Sequence, residues 1–181
     1  AIYQILSHGV VDAAILMLLG VLELHCATTQ ISGLGGLATK LPQTATLFVI
    51  ASLAMIGLPM LSGFVGEFLI LSSTFAGVSH GWAVAATFGV ILSAAYMLWL
   101  VQRIFYGPEN PTAAAKVTGD LNIGEHLVLW PLAVLMLVMG LSPSLFIGTI
   151  QAGVHPPPVS VRYEPGQLIL LDMEQIREVR R

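Results

Sequence analysis

The sequence predicts an all-α fold, a polytopic transmembrane helical bundle in which one helix is discontinuous, and three observations lead there. Of 181 residues, 56% are hydrophobic and only 9% charged, whereas a soluble domain carries roughly 25% charged residues. No Asp, Glu, Lys or Arg lies between Lys40 and Glu67, between Glu67 and Arg103, or between Glu125 and Arg162, and gaps of that length hold whole membrane spans. Inside the longest apolar stretch sits Gly57-Leu58-Pro59-Met60-Leu61-Ser62-Gly63. Pro59 lacks a backbone donor and the glycines tolerate conformations that other residues resist, so a break is expected near 57–63.

Four apolar segments follow from this pattern: 2–24, 44–78, 82–102 and 127–150. About 20 residues at ~1.5 Å each cross ~30 Å of hydrocarbon, so three of them fit one crossing apiece. The segment 44–78 would be ~50 Å long as an unbroken helix, and two half-helices are expected to meet at its break. An unpaired peptide group in hydrocarbon costs several kcal/mol, so such a break survives only where it is buried in protein or lines a wet cavity, an arrangement found in transporters.

The loops 26–43 and 106–125, the second opened by Gly107-Pro108, are expected on one face of the membrane. Lys40, Arg103 and Lys116 lie near that face and the turn 79–81 opposite has no Lys or Arg, so the positive-inside bias makes the first face cytoplasmic. Residues 1–150 are read as one membrane unit and 151–181 as a peripheral tail on the outer side. The run His155-Pro156-Pro157-Pro158 should be extended, and 172–181 is able to form a short surface helix. Residues 2–24 are too long, and wrongly flanked, for a cleaved signal peptide, and the chain is read as truncated at its N-terminus.

Composition also excludes functions. The net charge is −3 and the seven Lys and Arg residues are dispersed, four of them in the last twenty positions, which argues against nucleic-acid binding. Cys26 stands alone, so there is no internal disulfide, Cys-ligated cluster or multi-cysteine zinc site. No phosphate loop, dinucleotide fingerprint, His-Glu-x-x-His pair or nucleophile elbow occurs. No cofactor and no metal are expected.

The residues able to carry chemistry are few. Glu67 falls about 11 residues before the end of its half-helix, hence ~17 Å deep. An acidic side chain at a helix centre costs about 2.5–3.5 kcal/mol on insertion scales, so intramembrane carboxylates usually face an interior pathway. Desolvation favours the neutral acid and a cation or water favours the carboxylate, so a small rearrangement can load or unload a proton. The plainer alternative is a permanently protonated Glu67 that hydrogen-bonds a backbone group near Gly63. His8 and Asp12 are four residues apart and share a helical face, either as a proton relay or as a local polar contact. Glu23, His25, Glu125 and His126 sit at segment ends and are read as interfacial. Tyr96, Ser93, Trp99 and Tyr106 are read as ordinary packing and interface residues.

The run Gly35-Gly36-Leu37, then Lys40 and Pro42, then Gly57-Leu58-Pro59-Met60-Leu61-Ser62-Gly63-Phe64-Val65-Gly66-Glu67-Phe68, resembles the antiporter-like subunits of respiratory complex I. Ser7-His8-Gly9 upstream and Arg103-Ile104-Phe105-Tyr106-Gly107 downstream keep the order and spacing of that family. The resemblance covers roughly residues 1–150; the tail resembles nothing assignable. Most relatives resemble one another in carrying lysine at the position of Glu67, and a glutamate there looks like the chain M (subunit 4) type. The resemblance implies a fold of about fourteen spans with two inverted repeats, each with a discontinuous helix, of which this chain holds the later part. It also implies that Glu67 is the terminal proton carrier of a half-channel and His8 a relay feeding it. Asp12, where relatives usually have a small or apolar residue, and 23–29 depart from the family pattern.

The expectation is therefore a proton-translocating membrane subunit of NADH:quinone oxidoreductase, with Glu67 and His8 as proton-transfer residues and no redox site of its own. Its partners would be the other membrane subunits of complex I, the lipid bilayer and protons, and its location a bacterial plasma membrane. A sodium/proton antiporter subunit of the same superfamily, and a non-transporting fragment that only packs on partner helices, remain alternatives.

Overall fold

The computed structural model describes residues 1–77, 79–117, 119–153, 160–164 and 167–171. The chain divides into two compact units, 1–146 and 147–181. In the first, every regular element is a helix or a helical turn. Helix α1 (Ile2–Cys26) is long enough at ~37 Å to cross a bilayer. It buries Tyr3, Ser7, Val11, Ala14, Leu18, Val21 and Leu22, positions three or four apart that make one stripe facing the bundle. Ala27 closes the helix in the left-handed region, φ 52°, with its N–H bonded to the Glu23 carbonyl.

Short 3₁₀ turns at Ile31–Gly33 and Leu37–Thr39 lead into α2 (Pro42–Met55). Pro42 suits the first helical position, where the missing N–H would have had no partner. The preceding Leu41 offers no side-chain cap. That task falls to Asp120, which accepts from the Gln43 N–H at 2.6 Å, the Thr44 N–H at 3.2 Å and the Thr44 hydroxyl at 2.7 Å. The carboxylate thus satisfies two donors that helix geometry leaves orphaned.

Helix α2 stops at a Schellman motif. Gly57 adopts φ 77°, its N–H reaches the Ala54 carbonyl at 3.2 Å, and the Leu58 N–H reaches the Leu53 carbonyl at 3.0 Å, the pairing that closes a helix whose C′ residue is left-handed. After Met60, which also has positive φ at 79°, α3 (Ser62–Gly77) begins. Neither α2 (~21 Å) nor α3 (~24 Å) spans the hydrocarbon alone, so the longest apolar stretch is two half-helices joined through Ile56–Leu61. Gly63 at the start of α3 lies so close to the end of α2 that an added Cβ would collide with the Ala54 carbonyl oxygen.

Helix α4 (His80–Val101) runs on through a π turn at Gln102–Tyr106 and ends at Gly107-Pro108. A four-residue helix α5 (Pro111–Ala114) follows, and then α6 (Ile123–Leu141), which opens with a capping box between Asn122 and Glu125. Helices α1, α4 with its π turn, and α6 are each long and apolar enough to cross a membrane. The single span expected over 127–150 is instead two helices, since α6 ends at Leu141 and α7 (Pro143–Gly153) begins anew. The ring of Pro143 disfavours helical geometry at the residue before it, and Ser142 sits at φ −130°, ψ 59°.

The loops 27–41 and 107–122 pack on each other, as expected of loops sharing a face. The Asn110 N–H donates to the Gly35 carbonyl at 3.2 Å, and an added Cβ at Gly36 would lie 2.6 Å from the Glu109 Cα. His25 and Glu125, ending α1 and opening α6, approach to 3.8 Å. Inside, Phe48 and Phe105 pack at 5.2 Å between centroids, and α1 packs on α2, α3 and α6.

In the second unit, β1 (Ser160–Glu164) and β2 (Gln167–Leu171) pair antiparallel, Arg162 opposite Ile169, a hairpin that the sequence reading did not expect. The extended proline run and the short surface helix expected at 155–158 and 172–181 lie outside the described residues.

Candidate functional site

Glu67 sits in α3 five residues after Ser62, at the edge between two faces. Ser62, Gly63 and Gly66 are buried against the bundle, Phe64 and Phe68 are exposed and stacked at 5.7 Å, and Glu67 between them is half-buried. Its carboxyl group turns back to the break: a Cβ built on Gly57 would lie 2.9 Å from the Glu67 Cδ and 3.4 Å from Oε1, with Oε2 nearer still. Only a glycine leaves that room. Gly57 thus serves twice, supplying the left-handed turn that ends α2 and the space in which the acid lies. Among the described residues, none hydrogen-bonds or ion-pairs with the carboxylate.

Helix α1 reaches this place through Gln4. A Cβ on Gly66 would lie 3.1 Å from the Gln4 Cα and would overlap its side-chain amide, so α1 packs closely on α3 one residue before Glu67. His8 lies one helical turn from Gln4 on the same face, about 6 Å along α1, and is half-buried. Among the described residues no hydrogen bond or ion pair joins His8 to Asp12, which is exposed. Tyr3, at the same end of α1, donates its hydroxyl to the Met139 carbonyl of α6 at 2.6 Å. Gly140, next in α6, abuts the Met60 carbonyl in the break. The break is therefore held from one side by α1 and from another by α6.

The other sequence candidates lie elsewhere. Glu23 is exposed; His25 and Glu125 form the loop-face contact; His126 Nδ1 accepts from the Trp130 indole at 3.1 Å; Tyr96 is exposed. The described residues contain no group of three His, Cys, Asp or Glu side chains placed to hold a metal ion. Sequence reasoning passed over Gln4, although its spacing four residues before His8 places both on one face. It also passed over Asp120, which no local pattern connects to a helix 76 residues away.

Residues 1–94 match the family described as NADH:quinone oxidoreductase/Mrp antiporter, transmembrane. The chain is 40% identical over 154 residues to NADH-quinone oxidoreductase subunit M of Rhodobacter capsulatus, covering 85% of this chain and 30% of that protein. It is 37% identical to NADH-ubiquinone oxidoreductase chain 4 of Marchantia polymorpha, covering 85% and 31%. A chain in the solved structure of respiratory complex I from Thermus thermophilus with bound NADH superposes with a TM-score of 0.70 at 36% identity, over 80% of this chain and 30% of that one. The chain spans about a third of the length of the curated relatives it matches. With its bilayer-length apolar helices and its broken helix, this membrane-embedded chain belongs to the NADH:quinone oxidoreductase/Mrp antiporter transmembrane family.

Proposed function

We propose that this chain forms the later part of a proton-translocating membrane subunit of an NADH:quinone oxidoreductase, with Glu67 as a proton carrier and His8 as the group that feeds it. The observation that carries this reading is the Glu67 carboxyl lying against Gly57 at the break. An acid in that position is partly desolvated by apolar helices yet faces an interruption of the backbone, where polar groups and water are tolerated. Its charge state then answers to nearby charge: a cation favours the carboxylate and its withdrawal favours the acid. Electron transfer in partner subunits supplies that movement of charge, and this chain moves no electrons itself. The partners are other membrane subunits of the complex and the lipid bilayer, toward which the exposed apolar residues of α4, among them Trp82, Phe88, Ile91 and Leu92, are suited.

His8 is the side chain best matched to relaying a proton near neutral pH, and it lies one turn along α1 from Gln4, which meets Gly66 of the helix that carries the acid. The test is Glu67→Gln in the full-length subunit within the assembled complex. The amide keeps the shape and loses the proton, so redox-driven pumping should fall while assembly holds, and Glu67→Asp should keep part of it. Pumping equal to wild type in a normally assembled Glu67→Gln complex would refute the role of Glu67.

A further inference from the structure

At the loop end of α4 lies an open groove of 610 Å³, walled by Trp99, Gln102 and Arg103 at the helix end, Glu109 and Asn110 in the following loop, and Ser32 across from them. A groove of that volume takes a small organic group rather than a single water. Its two charges are unmatched by the protein. Among the described residues, Arg103 has no carboxylate and Glu109 no cation within ion-pair reach, although both line the same groove. The Arg103 guanidinium instead lies 5.6 Å over the Trp99 ring. Further donors face the same space: the Asn110 Oδ1 accepts from the Thr112 N–H at 3.0 Å, which leaves its amide N–H groups, and Gln102 and Ser32 are exposed.

The groove stands at the end of an exposed stripe. Phe88, Leu92, Tyr96, Trp99 and Arg103 recur every three or four residues along α4 and its π turn, and all five are exposed, so they share one face. From Phe88 to Trp99 the helix rises ~16 Å, about half of the ~30 Å hydrocarbon thickness. The stripe therefore runs from apolar side chains through an aromatic pair to a cation over the depth of one leaflet, the order in which a lipid presents its chains, interface and phosphate. Arg103 alone has a plain reading, since a cation near a helix C-terminus and over an indole is favourable without any ligand. That reading leaves the acid across the groove unexplained, and Glu109 disfavours a ligand that is purely anionic.

We propose that this groove binds the headgroup of a zwitterionic aminophospholipid of the phosphatidylethanolamine type, its phosphate on Arg103, its ammonium on Glu109 and its acyl chains along Phe88, Leu92 and Tyr96. A guanidinium meets a phosphate with two parallel N–H donors, and a primary ammonium has three N–H groups to donate, one of them to the Glu109 carboxylate. Phosphatidylglycerol offers the phosphate alone and leaves Glu109 facing negative charge. Phosphatidylcholine carries an ammonium with no N–H to give. The bound headgroup bridges the loop that holds Ser32 and the loop that holds Glu109 and Asn110, which already meet through the Asn110 N–H and the Gly35 carbonyl. The site is independent of the role given to Glu67.

The experiment uses the full-length subunit in the assembled complex, reconstituted into phosphatidylglycerol nanodiscs that contain a trace of one photoreactive lipid with a diazirine on its acyl chain. The probe is phosphatidylethanolamine, phosphatidylglycerol or phosphatidylcholine in turn, and labelled residues are mapped by mass spectrometry. The ethanolamine probe is expected to label the Phe88–Trp99 stripe roughly tenfold more than either of the others, the scale of one charge-assisted hydrogen bond. Arg103→Gln and Glu109→Gln should each remove that excess. Glu109→Lys should reverse the preference toward the glycerol probe, a change of specificity that a merely structural role for Glu109 would not produce. Glu109 is exposed, so its variants keep the test decisive even where Arg103→Gln fails to assemble. Equal labelling by the three probes in wild type, no labelling of the stripe because protein covers it, or a choline probe as effective as the ethanolamine one would overturn the proposal. Labelling unchanged in both Glu109 variants would overturn it as well.

Discussion

Replacing Gly57 by alanine separates the two tasks assigned to that residue. At φ 77° an L-residue costs about 1–2 kcal/mol more than glycine, because its Cβ crowds the following carbonyl. The second effect is local: the new methyl lies 2.9 Å from the Glu67 Cδ, and carbon atoms rest at ~3.5–4.0 Å, so the carboxyl must retreat by roughly 0.6–1.1 Å. Displacements of that order at a reacting group cost up to about 10²-fold in rate. The expected phenotype is therefore a modest loss of thermal stability with a much larger loss of redox-driven proton pumping. Met60 provides the control: it holds φ 79° without being glycine, so Met60→Gly relieves the same backbone strain, offset by about 0.5–1 kcal/mol of added unfolded-state freedom. Its stability should change little and its carboxyl niche not at all. Proteoliposome pumping assays and thermal inactivation of the purified complex give both readings. If Gly57→Ala pumps at the wild-type rate, the carboxyl does not depend on the space at Gly57, and the site is wrongly placed.

Other substitutions test how the site is held. Asp120→Ala should cost about 1–2 kcal/mol of stability by uncapping α2, as seen by thermal inactivation, and Asp120→Asn should recover part of that. Gly140→Ala drives a methyl into the Met60 carbonyl and should lower the inactivation temperature, whereas Gly9→Ala, with nothing within 4 Å, should be neutral or stabilising by up to about 1 kcal/mol. Tyr3→Phe removes a 2.6 Å bond to the Met139 carbonyl and should cost about 1–3 kcal/mol by leaving that acceptor unpaired.

Much of the bundle is legible in the sequence because a bilayer punishes charge so heavily that spans show as gaps between ionisable residues. The break is legible for a related reason: Gly57 and Pro59 are the residues of a helix end, and the Schellman closure at Gly57 is the form that end takes. What local pattern reports poorly is any boundary set by one proline in an apolar run. Pro131 sits inside α6 while Pro143 starts a new helix, and hydropathy treats the two alike. Contacts between distant segments leave no local trace either. Asp120 reads as one more loop acid until the fold brings it to the start of α2, and the closeness of Gln4 to Gly66 depends on how two helices cross.

Why the crossing takes this form follows from what holds helices together in lipid. Lipid tails are as apolar as leucine, so burying leucine between helices gains little, and association rests on close van der Waals approach and on hydrogen bonds. Small residues permit that approach, and they stand where the site needs it: Gly66 against Gln4, Gly63 against Ala54, Gly140 against Met60. The same close packing that stabilises the bundle therefore presses polar atoms into it, because backbone carbonyls at a break and the amide of Gln4 come along with the surfaces that meet. An apolar side chain at Gln4 would pack against Gly66 at least as well. A Gln4→Met subunit at least as heat-stable as wild type that pumps more slowly in the assembled complex would tie the polar side chain at this crossing to proton movement rather than to packing.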